Sequence, residues 1–123
     1  QWEKLRTAEM DPYGKPSGKC SLTKEGVKGC TCPNGVAPFF STKEVSDGHY
    51  ILTSTICTTE CLFDDECPSP VGGVLVEPFC ASNGRCLLSC AKSFSYCPSR
   101  SRCGDVNLPW SEEKISNVCR FVV

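Results

Sequence analysis

Cysteine is the residue through which this chain does most of its chemistry. Twelve occur among 123 residues: Cys20, Cys30, Cys32, Cys57, Cys61, Cys67, Cys80, Cys86, Cys90, Cys97, Cys103 and Cys119. Such a set can ligate a metal, supply a nucleophile or close disulfides. Structural zinc asks for thiolates at repeated C-x2-C spacing, often with histidine. The close spacings here are C-x-C (Cys30, Cys32) and C-x3-C (Cys57 to Cys61, Cys86 to Cys90), and His49 is the only histidine. An even count at this density is instead the composition of a secreted domain held by disulfides. All twelve are expected to be paired. Cys30 and Cys32 are too close to bond one another and should reach separate partners. The remaining connectivity is open.

The other reactive side chains point away from catalysis. A nucleophilic site needs a base and a group that orients it. His49 lies in a strand-like segment beside Tyr50, and paired cysteines leave no thiol to activate. Asp64, Asp65 and Glu66 are consecutive, which suits an acidic turn better than two carboxylates facing across a cleft. No enzyme activity, cofactor or metal is therefore expected. Two binding chemistries stay open. The Cys67–Cys80 loop has an apolar centre, Val74, Leu75 and Val76, with Pro68, Pro70 and Pro78 around it. Flanked by disulfides, it has the outline of a protease-inhibitor loop that loses little entropy on docking. Gly72 and Gly73 loosen it, and the same apolar run reads equally as a core strand. Trp2, Tyr13, Tyr96 and Trp110 are candidate carbohydrate platforms.

Composition narrows the partners. Thirteen basic and 14 acidic residues give a net charge of −1, which argues against nucleic acid or an anionic membrane as the main partner. The charge is unevenly placed. Glu60, Asp64, Asp65, Glu66 and Glu77 lie between Cys57 and Cys80 with no basic residue, while Lys92, Arg100 and Arg102 lie between Cys86 and Cys103 with no acidic one. The two stretches attract one another, are simply solvated, or face a partner. No stretch approaches the ~20 apolar residues that span a bilayer, so membrane insertion is not expected, and a monomer is. The start at Gln1-Trp2 suits a processed secreted chain, with Gln1 able to cyclise. No Asn-x-Ser/Thr sequon occurs.

The elements that must position these groups are short. Residues 1–19 read as a polar lead-in broken by Pro12, Gly14, Pro16 and Gly18. Residues 20–123 read as a single disulfide-rich domain, with possible sub-modules 20–56 and 57–123. Asn34-Gly35 and Asp47-Gly48 are turn signals, with strands expected over Val36–Phe40 and His49–Cys57. From Cys57 a C-x3-C-x5–6-C-P-S unit occurs twice, sharing Cys86, and the spacing C-x5-C closes the copies at Cys80…Cys86 and Cys97…Cys103. Asn83-Gly84 marks another turn. Ser111 is placed to cap a short helical turn at Glu112 and Glu113. Val118–Val123 reads as a closing strand that buries its three last apolar residues. The fold class is thus small, disulfide-rich and β-dominated (β or α+β), an antiparallel sheet plus a loop-rich cystine repeat. At roughly 2–4 kcal/mol per disulfide, against a typical net stability of ~5–15 kcal/mol, crosslinks more than burial decide whether it folds.

The run from Cys57 to Cys103, preceded by Cys30-Thr-Cys32-Pro33-Asn34-Gly35, resembles the cysteine pattern of small secreted fungal effector-like proteins. It is similar, over less of its length, to the cystine modules of Dickkopf and colipase. The fungal likeness covers Cys30 to Cys119 and implies an extracellular protein that acts by binding a host protein or cell-wall component. It transfers no catalytic residue. The alternative function is protease inhibition through residues 70–78.

Overall fold

β-Branched runs separated by glycine turns become eight strands in a computed structural model that describes residues 12–33, 36–70, 75–98, 100–111 and 113–123. β1 (Ser17–Thr23) and β2 (Gly26–Thr31) form a separate two-stranded hairpin. β3 (Phe39–Ser46), β4 (His49–Ile56), β5 (Glu77–Cys80), β6 (Cys86–Ser89), β7 (Arg102–Asn107) and β8 (Lys114–Val122) form one six-stranded antiparallel sheet. Its order is β3-β4-β8-β6-β5, with β7 also on β8. Strands from both sides of Cys57 therefore share one sheet.

The expected strands are present with shifted ends. Pro38 has no N–H for a ladder, so β3 begins at Phe39 rather than Val36. Asp47 and Gly48 are the two-residue loop between β3 and β4, with Gly48 at φ 73°, as a tight hairpin turn requires. The turn signal at Asn34-Gly35 lies outside the described residues. At the C-terminal end, the expectation that the last three residues are buried is corrected. Phe121 is buried but Val122 and Val123 are exposed: Val122 takes the opposite face of the strand from Phe121, and Val123 lies past the end of β8, its N–H donating to Thr53 C=O at 3.0 Å. Ser111 does accept a backbone N–H, that of Glu113 at 3.0 Å, but the chain then enters β8 at Lys114; Glu112 lies outside the described residues. β1 starts within the stretch read as lead-in, and the β1–β2 hairpin carried no turn signal of the Asn-Gly kind.

All twelve cysteines are paired: Cys20–Cys30, Cys32–Cys57, Cys61–Cys80, Cys67–Cys86, Cys90–Cys103 and Cys97–Cys119. Cys30 and Cys32 reach separate partners, as their spacing demands. The repeated motif is repeated in three dimensions, but in a different alignment from the C-x5-C one. Cys61–Cys80 matches Cys90–Cys103, and Cys67–Cys86 matches Cys97–Cys119. Cys80 lies directly across from Cys86, and Cys103 directly across from Cys119. Each copy is therefore a hairpin whose two facing cysteines are tied back to the loop before it. The backbone repeats too. Cys61 N–H donates to Gly84 C=O at 2.8 Å, and Cys90 N–H donates to Asn117 C=O at 2.8 Å. Gly84 and Asn117, each two residues before the hairpin's second cysteine, are both left-handed, at φ 80° and 56°. Glycine and asparagine tolerate that region best.

The core gathers around these crosslinks. Leu87 and Leu88 are consecutive and both buried, so both faces of β6 are covered. Val118, Val106, Ile56, Phe39 and Phe121 pack with them, and so does Tyr13. The Tyr13 hydroxyl donates to Pro68 C=O at 2.7 Å, while Cys57 N–H donates to Gly14 C=O at 2.8 Å. The segment before β1 is thereby bound to the cystine repeat. Burial pushes the Tyr13 phenol from 10.0 up to about 12.

Two outcomes are expected. Alkylation mass spectrometry of the native protein should find no free thiol, and Cys97→Ser/Cys119→Ser, which opens a crosslink of sequence separation 22, should lose about 3 kcal/mol by urea unfolding. An unchanged midpoint would contradict this. The second concerns Tyr13. Its folded-state pKa lies above the unfolded one, so its contribution is whole below pH 10 and is lost as pH rises through 12. Wild type should exceed Tyr13→Phe by about 1 kcal/mol at pH 8 through the hydrogen bond. The gap should narrow steadily above pH 10; a constant gap to pH 12 would refute it.

Candidate binding cleft

Three hairpin ends meet at one open cleft. The β1–β2 end contributes Leu22, Thr23 and Lys24, the β3–β4 end contributes His49 and Tyr50, and the β7–β8 connection contributes Trp110. The hollow has a volume of about 610 Å³. Gly26 of the first hairpin lies against the Phe40 ring, where an added Cβ would stand 3.8 Å from it. The first hairpin thus rests on the sheet beside the second.

Trp110 is positioned by backbone anchors rather than by its own preference. Its φ is 59°, a region that a bulky side chain enters at a cost of roughly 1–3 kcal/mol. Its N–H donates to Thr42 Oγ1 at 2.9 Å, and Asn107 Nδ2 donates to Thr42 C=O at 3.1 Å. Thr42 is completely buried in β3, so both bonds are made to a fixed point. Leu108 closes the connection by donating to Glu113 C=O at 2.9 Å and accepting from Ser111 N–H at 3.1 Å. The indole then stands edge-on to Tyr50, with centroids 5.3 Å apart at 88°, and to Phe40, at 6.2 Å and 75°. Both geometries match the ring quadrupole preference. Trp110 keeps 42% of its surface exposed. Lys24 and His49 bring donors to the wall, and among the described residues no carboxylate lines it. The cleft can offer an aromatic face to an apolar or sugar ring and hydrogen bonds at its rim.

The residues singled out in the sequence are dispersed by the fold. Trp110 is in the cleft, and His49 lines it as an exposed rim residue. Tyr13 is corrected as a platform, because it is 1% exposed and packs in the core. Tyr96 is 69% exposed in the Cys90–Cys97 loop, away from the cleft wall. Trp2 and Val74 lie outside the described residues. Leu75 is half exposed and left-handed at φ 54°, with its carbonyl accepting from Ser95 Oγ at 2.9 Å. Val76 packs against the core. Leu75 and Val76 therefore do not make one apolar surface, and Leu75 lacks the extended backbone by which a substrate-like strand docks. Tyr50 and Phe40 went unmarked in the sequence reading. Their signal was their position on facing strands around the Asp47-Gly48 turn, which sets neighbouring side chains on the same sheet.

The acidic triplet is structural in two of its three members. It forms a 3-10 turn, Asp64–Glu66. Asp64 Oδ1 accepts from Cys80 N–H at 2.8 Å, and Glu66 Oε1 accepts from Leu62 and Phe63 N–H at 2.6 and 2.8 Å. Sulfur clusters also occur, with Cys61, Cys67 and Cys86 in one and Cys90, Cys97 and Cys119 in the other, each within 4.8 Å. Every one of these sulfurs is in a disulfide, which carries no thiolate charge to offer a metal. The same three repeat positions build both clusters.

No family model matches the chain, and neither a curated protein nor a solved structure is significantly similar to it.

The anchoring of Trp110 is testable. Thr42→Val removes its acceptor and leaves the part-buried Trp110 N–H without one, so stability should fall by about 1 kcal/mol. In a Trp2→Phe background, the fluorescence anisotropy of Trp110 should also fall. An unchanged anisotropy would show that the aromatic contacts alone hold the indole.

Proposed function

We propose that the protein is an extracellular, non-enzymatic binding protein of the effector-like kind, and that the Trp110 cleft recognises a host protein or cell-wall component. The observation that carries this reading is Trp110 itself: a bulky residue in left-handed backbone, 42% exposed, held by its own N–H bond to buried Thr42 while Asn107 of the same connection bonds the Thr42 carbonyl. Strain kept at an exposed aromatic residue is a mark of a preorganised site. Six disulfides support action in an oxidising setting. Among the described residues, no helix is long and apolar enough to cross a membrane.

The test is comparative. Wild type, Trp110→Ala and Tyr50→Ala are presented to a glycan array and to a panel of purified extracellular proteins. A partner of wild type should lose at least about tenfold in affinity with either variant, the loss of one aromatic anchor, while the disulfides and melting temperature stay close to wild type. Full binding by both variants would remove the cleft from the reading. Nanomolar inhibition in a protease panel, abolished by Leu75→Glu, would replace it with inhibition.

A further inference from the structure

The unpaired basic residues of the second repeat converge on a groove distinct from the Trp110 cleft. A hollow of about 530 Å³ is lined by Lys15, Arg100 and Arg102 around Phe121 and Val122. A neighbouring hollow of about 340 Å³ shares Lys15 and Val122 and adds Lys19. Among the described residues neither wall contains an aspartate or glutamate. Four cations thus follow two adjoining hollows with an apolar floor between them.

These charges are left uncompensated. Among the described residues the ion pairs are Lys28–Glu25 at 4.0 Å and Lys92–Glu77 at 2.9 Å. Lys92, the third basic residue of its stretch, is therefore spoken for, while Arg100 and Arg102 are not. Asp105, the acid on the same strand as Arg102, accepts the Asn117 N–H at 3.2 Å. Arg102 also lies directly across from Arg120, and like charges facing on one antiparallel pair are destabilising. Arg120 Nη1 donates to Arg102 C=O at 2.9 Å, and its Nε is buried with no hydrogen-bond partner among the described residues. Arg100 is held left-handed at φ 66°. Lys15 is kept near by the bond from Cys57 N–H to Gly14 C=O. A folded chain that retains this much like charge at one place has an anion as its natural complement.

We infer that this groove binds an anionic polysaccharide, a chain carrying sulfate or carboxylate groups at intervals. The planar guanidinium groups of Arg100 and Arg102 suit such oxyanions. Lys15 and Lys19 extend the row, and Val122 with Phe121 offers a surface to the C–H face of a sugar. A nucleic acid fits less well. The whole molecule has a net charge of −1, and among the described residues the groove shows no exposed aromatic side chain on which a base would stack. The groove stands independently of the Trp110 cleft.

The experiment is calorimetric titration in 0.15 M NaCl with two probes, a heparin-derived hexasaccharide and hexagalacturonate, which separate sulfate from carboxylate recognition. At least one should bind. Lys15→Ala/Arg100→Ala/Arg102→Ala should weaken it at least about tenfold and flatten the dependence of affinity on salt. Lys28→Ala/Lys43→Ala/Lys114→Ala, which removes as much charge from exposed positions outside both hollows and the Trp110 cleft, should change it less than about twofold. Arg102→Ala alone should melt no lower than wild type, since it removes a like-charge pair. Equal losses in both triple variants would mean diffuse attraction and overturn the groove. So would the failure of both probes to bind, or tighter binding of a single-stranded DNA of matched charge.

Discussion

Two cysteines facing one another across a hairpin, each tied back to the loop before it, are the constraint on which the rest of this structure depends. In an antiparallel pair a slip of one residue turns every side chain to the other face. Cys80 opposite Cys86, and Cys103 opposite Cys119, forbid that slip because each has its own distant partner. With the register fixed, Leu87 and Leu88 take opposite faces of β6, and both, with Val118, are buried. The core is small, yet it is fully determined. Covalent bonds choose the pairing and apolar burial fills what is left.

That unit occurs twice and diverges where the chain is free to vary. The first copy closes on a short turn around Asn83 and Gly84. The second runs on through longer strands, β7 and β8, and their connection carries Trp110 to the ends of β1–β2 and β3–β4. The shared features are those the crosslinks need: the facing cysteines, a left-handed residue two places earlier, and its carbonyl bonded to the first cysteine of the copy. The differing feature, the length of the hairpin, builds the cleft. Loops held on a rigid scaffold commonly bear recognition for this reason.

Much of the scaffold was legible in the sequence because its determinants are local. Asp47-Gly48 specifies a tight turn, the β-branched run after it specifies β4, and an even set of cysteines specifies complete pairing. The cleft was not legible, because it is assembled from three segments far apart in the chain. Trp110 stood out as an aromatic residue, but nothing near it in sequence announces Thr42, whose buried hydroxyl holds it. Tyr13 was misread as a platform for the same reason: only the folded chain brings it under Pro68. The repeat was visible in its spacing, but its true alignment follows from disulfide partners, and spacing alone placed Cys97…Cys103 opposite Cys80…Cys86.

The charge split between the copies shows how the same scaffold assigns like features to different tasks. Mutual attraction of an acidic and a basic module would require ion pairs between them, and Lys92–Glu77 is the pair that joins them among the described residues. It is exposed, so it contributes little. Two of the five acids are used at home: Asp64 and Glu66 accept backbone N–H groups and shape the turn after Cys61. The bases have no such use. A carboxylate accepts from the N–H groups that a turn leaves unpaired, whereas a guanidinium can only donate. Arg85 shows the alternative, spending its donors on Thr58 and Ala37 carbonyls. Among the described residues Arg100 and Arg102 face a groove with no acid in its wall, so part of the acidic half of the split is explained inside the fold, and these two bases are not.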